Sequence, residues 1–162
     1  MKKDWKTRTA WIIGASSGIG EALANELQAK GCQVVRSSRS QGEIRIDVSD
    51  DTSVVDAANR YHEAHGNFDL VLVMAGFWKR MSAKQFDLEV FKEHNNTNNV
   101  GLARCVAAVL PKMINQNSGT LIGVSSVAGF RGLPGSSGYG PSKAAQINFL
   151  ESLRTDLQDT NV

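Results

Sequence analysis

Ile12-Ile13-Gly14-Ala15-Ser16-Ser17-Gly18-Ile19-Gly20-Glu21 is the stretch on which the reading of the whole chain turns. An apolar run, Ala10 to Ile13, leads into it, and a run of good helix formers, Glu21 to Leu27, leaves it. Buried strand, glycine turn and helix, in that order, make the phosphate-cradling start of a βαβ unit. The physical reason is the free end of the helix. Its first N–H groups have no partner within the helix, and the dipole there favours an anion. In this reading Gly14 makes the sharp turn out of the strand. Gly18 faces the phosphates with no side chain in the way, and Gly20 lets helix and strand pack closely. Ser16, Ser17 and Ile19 fill out the same loop as candidate cofactor contacts. The spacing is G-x3-G-x-G and not G-x-G-x-x-G, so a merely flexible turn is the competing reading. The other end of the chain decides between the two.

At 162 residues the chain is expected to form one domain with a real core. Apolar residues make up 41% and charged residues 21%, which is ordinary globular usage. A net charge of +2 is too small to argue for nucleic acid or an anionic membrane surface. Cys32 and Cys105 lie far apart in apolar surroundings and read as reduced core residues. No metal-ligand spacing stands out. Met1-Lys2-Lys3 is basic, but Asp4, Lys6, Thr7 and Arg8 interrupt any apolar segment behind it, so no signal peptide is predicted. No apolar run approaches the ~20 residues that span a bilayer. A soluble, cytoplasmic protein is expected.

Strands are predicted at 9–13, 33–37, 44–48, 70–74 and 120–124. The helix after Gly18 should place Ile19, Leu23 and Leu27 on one buried stripe, with Gly31 ending it. Only Ser38 to Glu43 joins the second strand to the third, which is short for a parallel crossover. A connecting helix has been lost there or reduced to a turn. Ser49-Asp50-Asp51 caps a helix that buries Val54, Ala58 and Tyr61. Leu70 to Met74 has no alternation and reads as a parallel strand covered on both faces. A long helical tract is predicted over 86–115, with Leu102, Val106, Val109 and Met113 in register and a kink at Pro111. The final helix starts near Pro141 and carries Ile147, Leu150, Leu153 and Leu157. Alternation of strand and helix implies an α/β fold: a doubly wound, Rossmann-like parallel sheet with strand order 3-2-1-4-5. Ligands in such sheets sit beyond the carboxyl ends of the strands, where the strand order reverses.

Ser126, Tyr139 and Lys143 form the second clue. Tyr139 and Lys143 are four residues apart at a helix start, so they share a face. A nearby ammonium favours the phenolate, which makes such a tyrosine usable as proton donor and acceptor near neutral pH. Ser126, at the end of the fifth strand, can hydrogen-bond the same substrate oxygen. This suggests a carbonyl/alcohol proton-transfer site beside a nucleotide. Taken together, Gly14-x3-Gly18-x-Gly20, Ser126-x12-Tyr139-x3-Lys143 and Asn98-x-x-Gly101 resemble the short-chain dehydrogenase/reductase family. Asp47-Val48, Ala75-Gly76, Leu110-Pro111 and Ser125 to Gly129 match in register as well.

The resemblance implies an oxidoreductase that moves hydride between a nicotinamide and a carbonyl or secondary alcohol. It makes Tyr139 the acid/base, has Lys143 lower its pKa and hold the nicotinamide ribose, and has Ser126 orient the carbonyl. It has Asn98 hold a water in a proton relay, although a polar helix residue is the plainer alternative. Asp47, with Val48, would contact the adenine, or Asp47 would simply cap a helix. Ala75 and Gly76 would line the cofactor. Arg36-Ser37-Ser38-Arg39 closes the second strand without the acid that an NAD ribose requires. Arg39 could pair a 2′-phosphate instead, so NADP(H) is expected over NAD(H). A homo-oligomer through the 102–113 and 141–157 helices is expected, and the substrate is a small carbonyl or alcohol. A non-catalytic NADP(H) sensor or interaction protein is the alternative function.

Departures from the family pattern are plain too. Ile13 and Val73-Met74 stand where the family has polar residues, which suggests a lost polar contact replaced by an apolar one. The family also continues past Val162 with further strands. The sequence stops before those C-terminal strands, as either a fragment or a naturally truncated chain would, and the fifth strand is then expected to be left as an apolar edge.

Overall fold

β1 (Thr9–Ile13) sits at the middle of a five-stranded parallel sheet. Its neighbours are β2 (Gln33–Ser38) and β4 (Leu70–Val73), with β3 (Ile44–Arg45) and β5 (Thr120–Gly123) at the edges. The order is β3-β2-β1-β4-β5, as the alternation implies. The structure is a computed structural model that describes residues 5–162; the basic Met1-Lys2-Lys3 start lies outside them.

Among the described residues, α-helices connect the strands and one follows the last of them. They are α1 (Gly18–Ala29), α2 (Asp51–His65), α3 (Leu88–His94), α4 (Gly101–Gln116) and α5 (Tyr139–Asp156). The two faces of the sheet build separate cores. Ala10, Ile12, Leu70 and Leu72 face α1, through Ala24 and Leu27. Trp11, Ile13, Val71 and Val73 face the other way, onto α2 and α4 and the half-buried leucines of α5. Trp11 is a large residue for a central strand, and its polar end is accommodated. Its indole N–H donates to Ser37 Oγ at 2.7 Å, and its ring stacks on Tyr61 with centroids 4.8 Å apart. Cys32 and Cys105 are free, buried, and on opposite faces of the sheet.

Several expectations shift. β3 stops at Arg45, short of Val48. Ile46 N still donates to Ser38 O, but Asp47 then folds into a turn, accepting from Ser49 N and Ser49 Oγ. Between β2 and β3 the chain makes a turn with no helix, so that expectation holds. Ile19 is not on the buried stripe: it is 73% exposed, because the first turn of α1 projects beyond the sheet, and Gly20, Ala24 and Leu27 take the inner face. The tract predicted over 86–115 is three pieces, with a π-helical turn, Asn95–Val100, between α3 and α4. α4 runs on through Pro111 to Gln116. Its stripe of Leu102, Val106, Val109 and Met113 is buried in the core. A second copy would therefore have to use residues that α4 and α5 leave outside that stripe, such as Ile114, which is 43% exposed.

Candidate active site

The carboxyl ends of β1, β4 and β5 open together on a cleft of about 620 Å³. Each strand contributes the turn that follows it, and α5 begins at the rim. Gly14, Ser16, Ser17, Ile19 and Gly20 line the cleft from the β1–α1 turn, and Ala75 and Gly76 from the end of β4. Ser126, Tyr139 and Lys143 line it from the β5 side, while Arg39, Asp47 and Val48 reach it from β2 and β3.

The glycine turn is built as its spacing requires. Gly14 has φ +97°, and a Cβ there would stand 2.5 Å from Ala75 N. A Cβ on Gly20 would collide with the Gly14 carbonyl oxygen, so this glycine serves the close packing of helix on turn. Gly18 differs: φ is +59°, and nothing lies within 4 Å of where its Cβ would be. No side chain there obstructs the approach to the helix end, although the lining of the cleft itself passes through Ser17 and Ile19 and not Gly18. Ser17 caps α1 without a side-chain hydrogen bond, so the first N–H groups of this helix keep their pull on an anion. By contrast Asp50 and Asp87 cap α2 and α3 with their carboxylates. A dinucleotide diphosphate fits this turn.

At the adenine end, the Arg36 guanidinium is held by Asn25 Oδ1 at 2.7 Å and Gln28 Oε1 at 3.1 Å on α1. Arg39 is the basic residue that lines this end of the cleft. Asp47 spends one carboxylate oxygen on Ser49. That bond, helped by the Ser49 N–H and by the charges of Arg39 and Arg104, outweighs burial and holds its carboxyl below the usual range. Arg104 ties this loop to the π-turn, pairing with Asp51 and donating to Val48 O and Asn96 Oδ1.

At the other end, four buried polar side chains form one network. The Lys143 ammonium donates to Val124 O at 2.7 Å and to Gln146 Oε1 at 2.9 Å. It lies 5.6 Å from the centre of the Tyr139 ring. Lys143 is 5% exposed, and burial pushes its pKa down to about 8. Gln146 Nε2 donates to the Asn98 main-chain carbonyl at 2.6 Å. Asn98 is fully buried, one layer behind the cleft wall. Its Oδ1 accepts from Phe77 N at 2.7 Å, and its Nδ2 donates to Phe77 O and Ser142 Oγ, both at 2.9 Å. Ser142 Oγ in turn donates to Tyr139 O. Ser126 Oγ accepts from Ala128 N, which leaves its hydroxyl proton to donate elsewhere.

Thus the structure brings Ser126, Tyr139 and Lys143 to one cleft, and sets Asn98 behind Gly76, where it fixes the backbone of Phe77. Reading the sequence missed Gln146, Ser142 and His94. His94 is fully buried, hydrogen-bonded through Nδ1 to Val90 O and through Nε2 to Lys79 N, with its ring centre 6.0 Å from that of Tyr139 in an edge-to-face contact. A signal for Gln146 existed: it is polar, three residues after Lys143, on the face that packs inward.

The model of the short chain dehydrogenase family matches residues 8–162. An uncharacterized oxidoreductase of Myxococcus xanthus is 36% identical over 96% of this chain and 68% of its own length. A probable NADP-dependent dehydrogenase of Haemophilus influenzae is 30% identical over 97% of this chain and 68% of its own. Among solved structures, the closed form of a serine dehydrogenase complexed with NADP+ superposes with a TM-score of 0.88 at 28% identity. That match covers 94% of this chain and 67% of the other. A parallel sheet with a glycine turn and a Ser-Tyr-Lys cleft defines a Rossmann-type, nucleotide-binding class of protein. Within it, this chain belongs to the short-chain dehydrogenase/reductase family. It spans 50% to 74% of the length of the curated relatives it matches. Among the described residues, no helix is long and apolar enough to cross a membrane.

Proposed function

We propose that these residues form the cofactor-holding and proton-handling unit of an NADP(H)-dependent oxidoreductase acting on a carbonyl or secondary alcohol. One observation carries the reading: Tyr139 and Lys143 share a single cleft with a glycine turn whose helix end is uncapped. Bound there, the nicotinamide would supply or accept hydride. The chain's own residues do the rest. The α1 N-terminus and Gly18 hold the diphosphate, and Asp47 and Val48 flank the adenine. Ser126 donates its hydroxyl proton to the substrate oxygen and so orients it. Tyr139 gives or takes the proton at that oxygen, with the Lys143 ammonium 5.6 Å from its ring centre. Asn98 positions the Phe77 backbone at the cleft wall.

NADP(H) is preferred over NAD(H) because Arg39 is free to take a 2′-phosphate and no acid at the end of β2 bonds a free ribose. The Haemophilus relative, a probable NADP-dependent dehydrogenase, and the serine dehydrogenase complexed with NADP+ support this. Self-association through the outward faces of α4 and α5 is part of the same proposal.

The deciding experiment is Tyr139→Phe. Turnover of a carbonyl panel with NADPH should fall by about 10²- to 10⁴-fold with cofactor binding retained. A wild-type chain that binds NADPH and turns over nothing on the panel would instead favour a sensor. Tighter binding of NADH than of NADPH would refute the cofactor assignment.

A further inference from the structure

The Lys143 ammonium has three protons, and the protein fixes two of them. One goes to Val124 O and one to Gln146 Oε1. The orientation of the Gln146 amide is unambiguous: its oxygen must face the ammonium and its nitrogen the Asn98 carbonyl. Both protein acceptors remain satisfied whether the lysine is an ammonium or an amine. The proton that comes and goes is therefore the third, on the side of the cleft and Tyr139. Behind the lysine, the gap to the Asn98 carbonyl is filled by the Gln146 side chain, itself 1% exposed. An amide donates and accepts but neither gains nor loses a proton near neutral pH.

We propose that Gln146 is a positioning residue for Lys143: it aims the exchangeable proton at Tyr139 and closes the interior side of the lysine to water and proton traffic. This rests on the proton-transfer role proposed for Tyr139 and Lys143. It adds that protons enter and leave through the mouth of the cleft and not through the helix packing behind Lys143. The carbonyl that Gln146 occupies belongs to the π-helical turn that joins α3 to α4. The residues facing the lysine from β4, β5 and the π-turn are Gly76, Val124 and Asn98, all uncharged. Tyr139 on α5, His94 and Glu93 on α3, and Asp47 and Arg39 at the far end of the cleft are the titratable or charged groups around it.

Three variants of the full chain test this: Gln146→Leu, Gln146→Ala and Gln146→Glu. Leucine removes the acceptor and keeps the space filled. Alanine opens room for a water between Lys143 and the Asn98 carbonyl. Glutamate keeps an acceptor and adds a charge. We expect kcat with NADPH to fall about tenfold in the leucine variant, the value of one hydrogen bond to a charged group, with KM for NADPH little changed. Alanine should retain more activity than leucine despite the larger truncation. A structural role alone would reverse that order.

Independently of turnover, the titration of Lys143 is followed by NMR of ¹³Cε-labelled lysine, with Lys143→Met identifying the signal. Leucine should lower the midpoint, and glutamate should raise it by about one pH unit or more. A titration that does not move in any variant overturns the proposal, whatever the activities. So does an alanine variant less active than leucine. If the titration moves as expected while Tyr139→Phe costs no turnover, the positioning role stands and the proton-transfer reading of Tyr139 falls.

Discussion

Lys143 shows how one buried side chain links stability to pH. In the unfolded chain its amine holds a proton up to the ordinary 10.5; in the fold, burial brings this down to about 8. Between those values the unfolded state binds more protons, so stability rises with pH across that window. The contribution is complete above 10.5 and is lost as pH falls through about 8. In the nucleotide-free protein, the urea midpoint relative to Lys143→Met should therefore climb between pH 8 and 10.5, by at most about 3 kcal/mol in free energy. A flat difference would mean that the ammonium is not desolvated. Ile13 makes the opposite point. It pairs in register with Val73, and both side chains lie in the α2/α4 core. The sequence suggests that a polar contact was exchanged here for an apolar one on both strands. Restoring one side alone should then leave a buried hydroxyl without a partner. Ile13→Thr should cost about 1–3 kcal/mol by urea denaturation, and an unchanged midpoint would sink the idea.

At the scale of elements, legibility followed the kind of interaction that shapes each piece. β1, β2, β4 and α2 could be read because apolar runs and an aspartate cap are local signals. The end of β3 could not, because it is set by the side-chain bonds between Asp47 and Ser49. The π-turn was hidden for a related reason: Asn95 to Asn99 read as a continuation of the helix, and the turn's side-chain partners are distant in sequence. Gln146 holds the Asn98 carbonyl from 48 positions away, and Arg104 reaches back to Val48. The glycine turn was legible almost atom by atom, and it yields a paired test. Gly18→Ala meets open space but carries φ +59°, so it should cost about 1–2 kcal/mol of stability while weakening NADPH binding strongly. Gly20→Ala drives a Cβ into the Gly14 carbonyl oxygen and must move the helix. Its thermal midpoint should fall further than that of Gly18→Ala. Equal losses in both measurements for both variants would show that the two glycines do not divide their work between ligand and packing.

For the whole molecule, the sheet is unevenly covered. The α2/α4 face is thick, whereas the opposite face relies on α1, because the β2–β3 connection carries no helix. β5 sits at the edge of the sheet, and its side chains show the consequence. Leu121 points into the α2/α4 core, but Ile122 points to the α1 side, beyond the reach of α1, and is 38% exposed. An edge strand offers unpaired N–H and C=O groups to any other strand, and an apolar side chain beside them strengthens the attachment. Beside the outward faces of α4 and α5, β5 should therefore offer a second route to self-association as concentration rises. Ile122→Lys places a charge on that edge without removing a packed core residue. Light scattering across a concentration series should show less association for the lysine variant, with the urea midpoint shifted by no more than about 0.5 kcal/mol in free energy. Association that is unaffected by the lysine would move the contact to the outward faces of α4 and α5. There, Ile114→Glu should abolish it and Ile122→Lys should not.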